Sequence, residues 1–157
     1  MQMDASDALT QCQRELAADR QKLEALSEEV AHARHEATQA KLLARSLYNR
    51  LVAAEKVLTG WRGRLARRLY PELPTPAEAA DVAELRASSL FDGPWYLTMY
   101  PEVAATGLSP ELHYLRHGAY ELKDPGPEFS SRNYRVRHPQ ILAEKVNFLL
   151  NHLRTGQ

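Results

Sequence analysis

The N-terminal part of the chain lacks, over an unusual length, the two residues that most often end helices. The stretch from Ala5 to Leu69 contains no proline, and no glycine before Gly60. It is rich in Ala, Leu, Glu, Arg, Lys and Gln, which favour helix. Mostly apolar residues recur every seven positions in two series, here called rails, one starting at Leu9 and the other at Cys12. This spacing is typical of a coiled-coil seam. The sequence therefore predicts one long helix that associates with another helix.

A lone helix has too little surface around it to bury such a seam, so a partner helix is needed. Self-association is the simplest source of that partner, and both a dimer and a trimer fit the spacing. The predicted seam consists of Leu9, Leu16, Leu23, Leu26, Val30, Leu47, Leu51 and Leu58. Asp19 on the second rail is interpreted as a tolerated irregularity. His32 and His35 share a helix face but lack a nearby thiolate, and they predict a solvated face and no metal site.

Positive charge is concentrated at the end of this helical stretch. Residues 61–70 hold four arginines and no acid, in a chain whose formal net charge is zero. The helix macrodipole accounts for one or two of them. The others flank an apolar stripe, a pattern that favours contact with an anionic membrane or a partner protein, and no nucleic-acid motif accompanies it. The predicted contact residues are Trp61, Arg62, Arg64, Arg67, Arg68 and Tyr70.

A change of composition after the basic cluster predicts a domain boundary. Three prolines open a linker at residues 71–89, in which Ala79, Val82 and Leu85 favour a short amphipathic helix. The predicted domains are a coiled coil with a basic amphipathic end at 5–70, this linker at 71–89, and a tandem helical repeat domain at 90–157. The predicted fold class is all-α, with a long N-terminal coiled-coil helix before a small domain of two helical repeats.

The C-terminal domain is similar to itself. Residues 91–118 align without gaps with residues 129–156 at a shift of 38, with 8 of 28 positions identical. Such self-similarity is typical of a tandem helical repeat whose copies stack on a shared core or dock on the linker helix. Asp92 and Ser130 are the expected N-caps of the first helix in each copy.

The two copies differ in how they are predicted to continue. In the first copy Gly107 favours a left-handed turn and Ser109-Pro110 a new helix start, so three short helices are expected. The second copy lacks this glycine and proline. We therefore expect one longer helix that includes residues 143–147 and runs on to Arg154.

The sequence contains no motif that carries catalysis. His113 and His117 lie one helical turn apart, but no glutamate follows the first histidine and no third ligand is evident. Capping and hydrogen bonding near Gly118 is the preferred interpretation. A phosphate loop, a serine elbow and a paired-cysteine motif are also lacking in the sequence. The chain is therefore expected not to be an enzyme and to need no metal or cofactor.

Residues 90–130, LFDGPWYLTMYPEVAATGLSPELHYLRHGAYELKDPGPEFS, resemble tandem modules attached to bacterial glycosyltransferases that build cell-surface polysaccharides. The likeness is carried by Phe91-Asp92, Trp95-Tyr96-Leu97, Tyr100-Pro101-Glu102-Val103-Ala104, Gly107 with Pro110, His113-Tyr114-Leu115, Gly118 and Asp124-Pro125. The segment Trp61-Arg62-Gly63-Arg64 is similar to segments that follow coiled coils in such enzymes. The resemblance implies a non-catalytic scaffold or regulatory module that docks on a glycosyltransferase or another polysaccharide-synthesis protein.

An alternative function is carbohydrate binding through aromatic residues of the repeat domain. The residues predicted to contact a glycan or a partner are Trp95, Tyr96, Tyr100, His113 and Tyr120. No apolar run is long enough to cross a bilayer, and the N-terminus does not resemble a cleavable signal. The expected location is the cytoplasm, with peripheral contact to the inner face of the membrane.

Overall fold

The computed structural model describes residues 5–59, 73–141 and 146–156. Every regular element in these ranges is helical, apart from an isolated antiparallel bridge between Gly126 and Phe129. The elements are α1 (Ala5–Thr59), α2 (Pro76–Ala87), α3 (Gly93–Met99), a 3-10 helix (Pro101–Thr106), α4 (Pro110–His113), a π-helix (Tyr114–Gly118), α5 (Ser131–Arg137) and α6 (Phe148–Thr155). The predicted all-α class, with a long N-terminal helix before several shorter ones, is confirmed.

The chain divides into two compact units, residues 1–40 and residues 41–157. In the first unit, residues 8–40 of α1 all have exposed side chains. In the second unit, Ala44 and Val52 of α1 are buried, and Tyr48 packs against the hydrophobic core. The C-terminal unit therefore includes a segment of α1 that the sequence assigns to the coiled coil.

This packing corrects one part of the predicted seam. The heptad spacing places Leu51 between chains, but the structure packs Leu51 against the core of its own chain. Ala44, one heptad earlier, is likewise covered by its own chain and retains 6% of its surface. At these two positions the apolar contacts of α1 are therefore made within its own chain.

A capping box begins α2. The hydroxyl of Thr75 accepts a 3.2 Å hydrogen bond from the backbone N–H of Glu78, and the Glu78 carboxylate accepts a 2.7 Å bond from the N–H of Thr75. These bonds satisfy two backbone donors that a helix start leaves unpaired. Val82 and Leu85 are buried, as the amphipathic pattern predicts, whereas Ala79 is exposed.

Both repeat copies contribute to one hydrophobic core. Its buried members are Ala44, Leu85, Phe91, Tyr96, Leu97, Val103, Tyr114, Ala119, Phe129, Tyr134, Ile141, Phe148, Leu149 and Leu150. The core thus joins α1, α2 and the two copies, in agreement with the expectation that a small repeat needs neighbours to bury its apolar face.

The repeat in the sequence is also a repeat in local structure. Helices α3 and α5 each span seven residues and begin 38 residues apart. Asp92 accepts a 2.9 Å hydrogen bond from the N–H of Trp95, and Ser130 accepts one of 3.4 Å from the N–H of Asn133. The two predicted N-caps are therefore confirmed. Gly107 takes the predicted left-handed conformation, with φ of 72°.

The prediction of one long helix in the second copy is wrong at its centre. Asn147 has extended backbone angles and caps α6, accepting a 3.2 Å hydrogen bond from the N–H of Leu150. Ser109, at the equivalent position of the first copy, caps α4 through the N–H of Leu112 at 3.3 Å. An asparagine side chain thus supplies the helix start that a serine followed by a proline supplies in the first copy.

One buried polar contact also recurs at the same interval. The hydroxyl of Tyr96 lies 3.1 Å from Nδ1 of His113, and the hydroxyl of Tyr134 donates a 2.7 Å hydrogen bond to Oδ1 of Asn151. Gly118 is needed beside the first pair because a methyl group at its Cα would overlap the Tyr96 hydroxyl. His113 is therefore a partner for a core tyrosine, which agrees with its interpretation as a hydrogen-bonding residue.

Candidate functional site

The seam predicted in the N-terminal unit is a row of exposed apolar side chains. The exposed fractions are 62% for Leu9, 52% for Leu16, 67% for Leu23, 56% for Leu26 and 47% for Val30. The heptad spacing of these residues places them along one side of α1. We call these five residues the apolar edge. Exposed apolar residues that cluster in this way are more typical of interaction surfaces than isolated ones are.

The polar contacts described for residues 8–40 join groups three or four residues apart on α1. Lys22 lies 3.5 Å from Asp19, and His32 lies 3.7 Å from Glu36. Both pairs are exposed, so each contributes little to stability. Among the residues that the structure describes, no group of three or more His, Cys, Asp or Glu side chains is placed to hold a metal ion.

A buried polar network joins α1 to α2 and α4 in the second unit. The carboxylate of Glu111 is fully buried, and it accepts hydrogen bonds from the Tyr48 hydroxyl at 2.7 Å and from Nε of Arg86 at 3.1 Å. A second nitrogen of Arg86 lies 3.4 Å from the carboxylate of Glu55. A buried carboxylate requires such partners, since its desolvation is otherwise very unfavourable.

The raised pKa values of Tyr48 and Arg86 keep both side chains protonated at neutral pH, so their hydrogen bonds between helices persist. Burial, together with the hydrogen bond to Glu111, raises the pKa of Tyr48 to about 12. Burial alone lowers the pKa of Arg86, but the hydrogen bonds and negative charge of Glu111 outweigh it, so the pKa is raised. Tyr48 therefore remains a donor and Arg86 a cation at neutral pH. This arrangement suits a structural contact more than proton transfer.

Sequence reasoning missed this network, although the repeat contains a signal for it. The self-alignment pairs Glu111 with Leu149, and both side chains are fully buried. When one copy of a repeat has a charged residue at a position where the other copy has a core leucine, the charged residue needs a polar partner that contacts only its own copy. Here that partner is supplied by the helix pair that carries Tyr48 and Arg86.

The basic contact segment predicted at the C-terminal end of the coiled coil falls within residues 60–72, which are not among the described residues. Trp61, Arg62, Arg64, Arg67, Arg68 and Tyr70 lie outside the described residues. Leu58 belongs to α1, but its side chain is also outside the description. The function of this segment therefore remains a prediction from the sequence.

The aromatic residues predicted to contact a glycan or a partner have different environments. Tyr96 has no exposed surface and His113 retains 6%, so neither can contact a ligand at the surface. Tyr100 is half-buried, and its hydroxyl accepts a 2.9 Å hydrogen bond from the N–H of Asp124. Trp95 is half-buried and Tyr120 is 51% exposed. Trp95 and Tyr120 thus both keep part of their surface in contact with solvent.

No family model, curated protein or solved structure matches the chain. Within the ranges that the structure describes, no helix combines the length and the apolar character required to cross a membrane.

Proposed function

We propose that this protein is a non-catalytic scaffold that assembles into a dimer or trimer through the apolar edge of α1. The observation that carries the proposal is the exposure of five leucine and valine residues at coiled-coil spacing. Complete burial of one such side chain is worth about 1.5–3 kcal/mol, so five per chain provide a large driving force for association. Each chain of the assembly then contributes one C-terminal unit.

The assembly is proposed to serve bacterial surface-polysaccharide synthesis. The support for this context is the likeness of residues 90–130 to modules attached to glycosyltransferases, together with the tryptophan and arginines of residues 61–70. In this proposal the C-terminal unit docks on a glycosyltransferase or a related protein. The arginines contact that partner or the inner face of the cytoplasmic membrane, where repetition in an oligomer multiplies a weak attraction.

Sedimentation velocity at micromolar concentration tests the assembly. We expect the natural chain to sediment as a dimer or trimer of the 17.8 kDa protomer. The double variant Leu16→Lys, Leu23→Lys places two charges on the apolar edge and should sediment as a monomer. The matched control Ala18→Lys, Ala25→Lys adds the same charges about 200° around the helix and should remain oligomeric. A monomeric natural chain, or equal dissociation of both variants, would refute the proposed assembly.

Vesicle flotation tests the membrane contact separately. Vesicles of phosphatidylglycerol and phosphatidylcholine should carry the natural protein, whereas a variant with Arg62, Arg64, Arg67 and Arg68 changed to Glu should stay in solution. The control variant, with the same four residues changed to Lys, keeps the charge and should still float. Equal flotation of the natural and Glu variants would exclude a role for the arginines in membrane binding.

A further inference from the structure

A groove of about 570 Å³ lies in the C-terminal unit between α1 and α3. The residues that matter for its chemistry are Lys41, Arg45 and Asn49 from α1, and Asp92, Trp95 and Thr98 from the start and body of α3. This volume lies within the range of small-molecule binding sites. The groove shares no residue with the apolar edge, and its residues all belong to one unit.

The α1 side of the groove carries two cations without described counter-ions. Lys41 and Arg45 are exposed and lie four residues apart, so their like charges disfavour each other. No acidic side chain in the described ranges forms an ion pair with Lys41 or Arg45. A bound anion would relieve this repulsion. Arginine in particular presents a fork of N–H donors that fits a carboxylate or a phosphate.

The α3 side of the groove supplies an aromatic ring and hydrogen-bonding groups. The Trp95 ring meets Tyr100 edge to face, with centroids 6.5 Å apart and planes at 87°. This contact restricts the indole within a half-buried position. Asp92 keeps its capping bond to the N–H of Trp95 at 2.9 Å, yet its side chain is exposed and retains acceptor capacity. Thr98 adds a hydroxyl to the same wall.

We propose that this groove binds a saccharide that carries a carboxylate, such as a uronic acid residue of an acidic polysaccharide. Arg45 and Lys41 pair with the carboxylate, the Trp95 ring packs against the apolar face of the sugar, and Asp92 and Asn49 bond to hydroxyl groups. A phosphate would satisfy the two cations, but it offers no apolar face to Trp95. The combination therefore favours an acidic sugar over inorganic phosphate.

The second repeat copy lacks this chemistry. The position of Trp95 is Asn133 there, and the position of Thr98 is Val136. Val136 is 73% exposed. The proposed site therefore occurs once per chain. It does not rest on the assembly of α1, because the six residues lie within residues 41–157.

The test uses the full chain with Trp61→Phe, so that Trp95 is the remaining tryptophan. Its fluorescence is titrated with trigalacturonic acid and, in parallel, with neutral galactotriose. We expect a saturable change with the acid and at least about tenfold weaker binding of the neutral sugar, because a hydrogen-bonded charge pair is lost. Equal affinity for the two sugars, or no saturable change with either, would overturn the proposal.

Variants locate the site and distinguish it from general charge attraction. In the Trp61→Phe background, Arg45→Gln should weaken acid binding by at least about tenfold, whereas Arg50→Gln, an exposed arginine outside the groove, should leave it unchanged. Equal loss in both variants would indicate nonspecific attraction and refute the site. Circular dichroism of each variant serves as the control that the protein remains folded.

Titration calorimetry compares the binding of trigalacturonic acid with that of inorganic phosphate. Trp95→Phe should leave the protein folded and should weaken the binding of trigalacturonic acid several-fold, because the smaller ring covers less of the sugar. Phosphate is expected to bind at least about tenfold more weakly than the sugar acid, since it offers Trp95 no contact surface. Phosphate binding of equal strength, reduced by Arg45→Gln but not by Trp95→Phe, would make the groove a phosphate site and overturn the proposal.

Discussion

The hydroxyl of Tyr48 donates a 2.7 Å hydrogen bond to the carboxylate of Glu111, a side chain without exposed surface. The two residues lie 63 positions apart in the sequence, so this bond ties the long helix directly to the first repeat copy. Arg86 neutralises the same carboxylate from α2, at 3.1 Å and 3.3 Å. The C-terminal part of α1 is therefore a structural element of the helical repeat unit.

Removal of the carboxylate should destabilise this unit strongly. Glu111→Ala leaves the guanidinium of Arg86 without its main partner and empties a buried position, and breaking a buried pair from one side costs about 3–5 kcal/mol. Urea unfolding followed by circular dichroism measures the loss. The control Glu128→Ala removes an exposed carboxylate and should change stability by less than about 0.5 kcal/mol. Similar losses in both variants would contradict a structural role for the network.

A glycine allows the same contact between helices. Gly93 is buried at the first position of α3, and a methyl group on its Cα would overlap the ring of Tyr48. We expect Gly93→Ala to cost about 1–3 kcal/mol through overpacking, despite the higher helix propensity of alanine. Urea unfolding of the single variant gives this value.

A double-mutant cycle identifies the cause. In a Tyr48→Leu background the ring is absent, and Gly93→Ala should then cost less than about 0.5 kcal/mol. If the cost is the same in both backgrounds, overlap with Tyr48 is not the reason for the glycine.

Local chemistry made several elements predictable. The absence of proline and glycine and the heptad spacing predicted α1, and short polar side chains at Asp92 and Ser130 predicted two helix starts. Each of these signals lies in the part of the chain that forms the element itself. The self-alignment also predicted that the two copies stack on a shared core or dock on the linker helix, because repeated apolar residues such as Phe91 and Phe129 need a covered surface.

Contacts between distant residues were not predictable in the same way. Tyr48 and Glu55 flank the apolar rail of α1, where the heptad pattern alone favours exposed or interchain positions. Their partners lie on α2 and α4, and no local spacing indicates which surface α1 meets. For the same reason, Trp95 was predicted as a binding residue, while Lys41 and Arg45 across the groove were not.

Acidification below neutral pH should weaken the protein through His113. Burial lowers the pKa of His113 below its ordinary value of 6.5, although the negative charge of Glu121 opposes this shift. The unfolded chain therefore takes up a proton at higher pH than the folded chain, and stability is lost as the pH falls below about 6.5. Urea midpoints measured between pH 7 and pH 5 should show this decline.

The second repeat copy provides a suitable variant for this test. Asn151 occupies the position of His113 and hydrogen-bonds Tyr134, so His113→Asn should keep a partner for Tyr96 without a titrating group. We expect the decline between pH 6.5 and pH 5 to become smaller in this variant. An unchanged decline would mean that other groups cause it.

The two equivalent arginines of the repeat should contribute unequally to stability. Arg116 forms a two-point contact with Glu78 at 2.8 Å and 3.0 Å, whereas Arg154 bonds to Asp81 and Glu84 with half of its side chain exposed. Arg116→Ala should cost about 2 kcal/mol because a partly buried, charged hydrogen bond is lost. Arg154→Ala should cost less than about 1 kcal/mol, as is usual for exposed pairs. Equal losses in urea unfolding would contradict this ranking.

The ion pair between Arg116 and Glu78 should stabilise the fold only at pH values where Glu78 is ionised. The hydrogen bond from Arg116 is the main cause that lowers the pKa of Glu78 from 4.5 to about 2, with further bonds from Thr75 and opposition from burial. The pKa of Glu78 is lower in the folded than in the unfolded chain. The stabilisation that Glu78 contributes is therefore complete above pH 4.5 and is lost as the pH falls towards 2. Glu78→Gln cannot titrate and should show a shallower loss of stability between pH 4.5 and pH 2 than the natural chain. Parallel unfolding curves for the two proteins across this range would show that the pair does not account for the acid sensitivity.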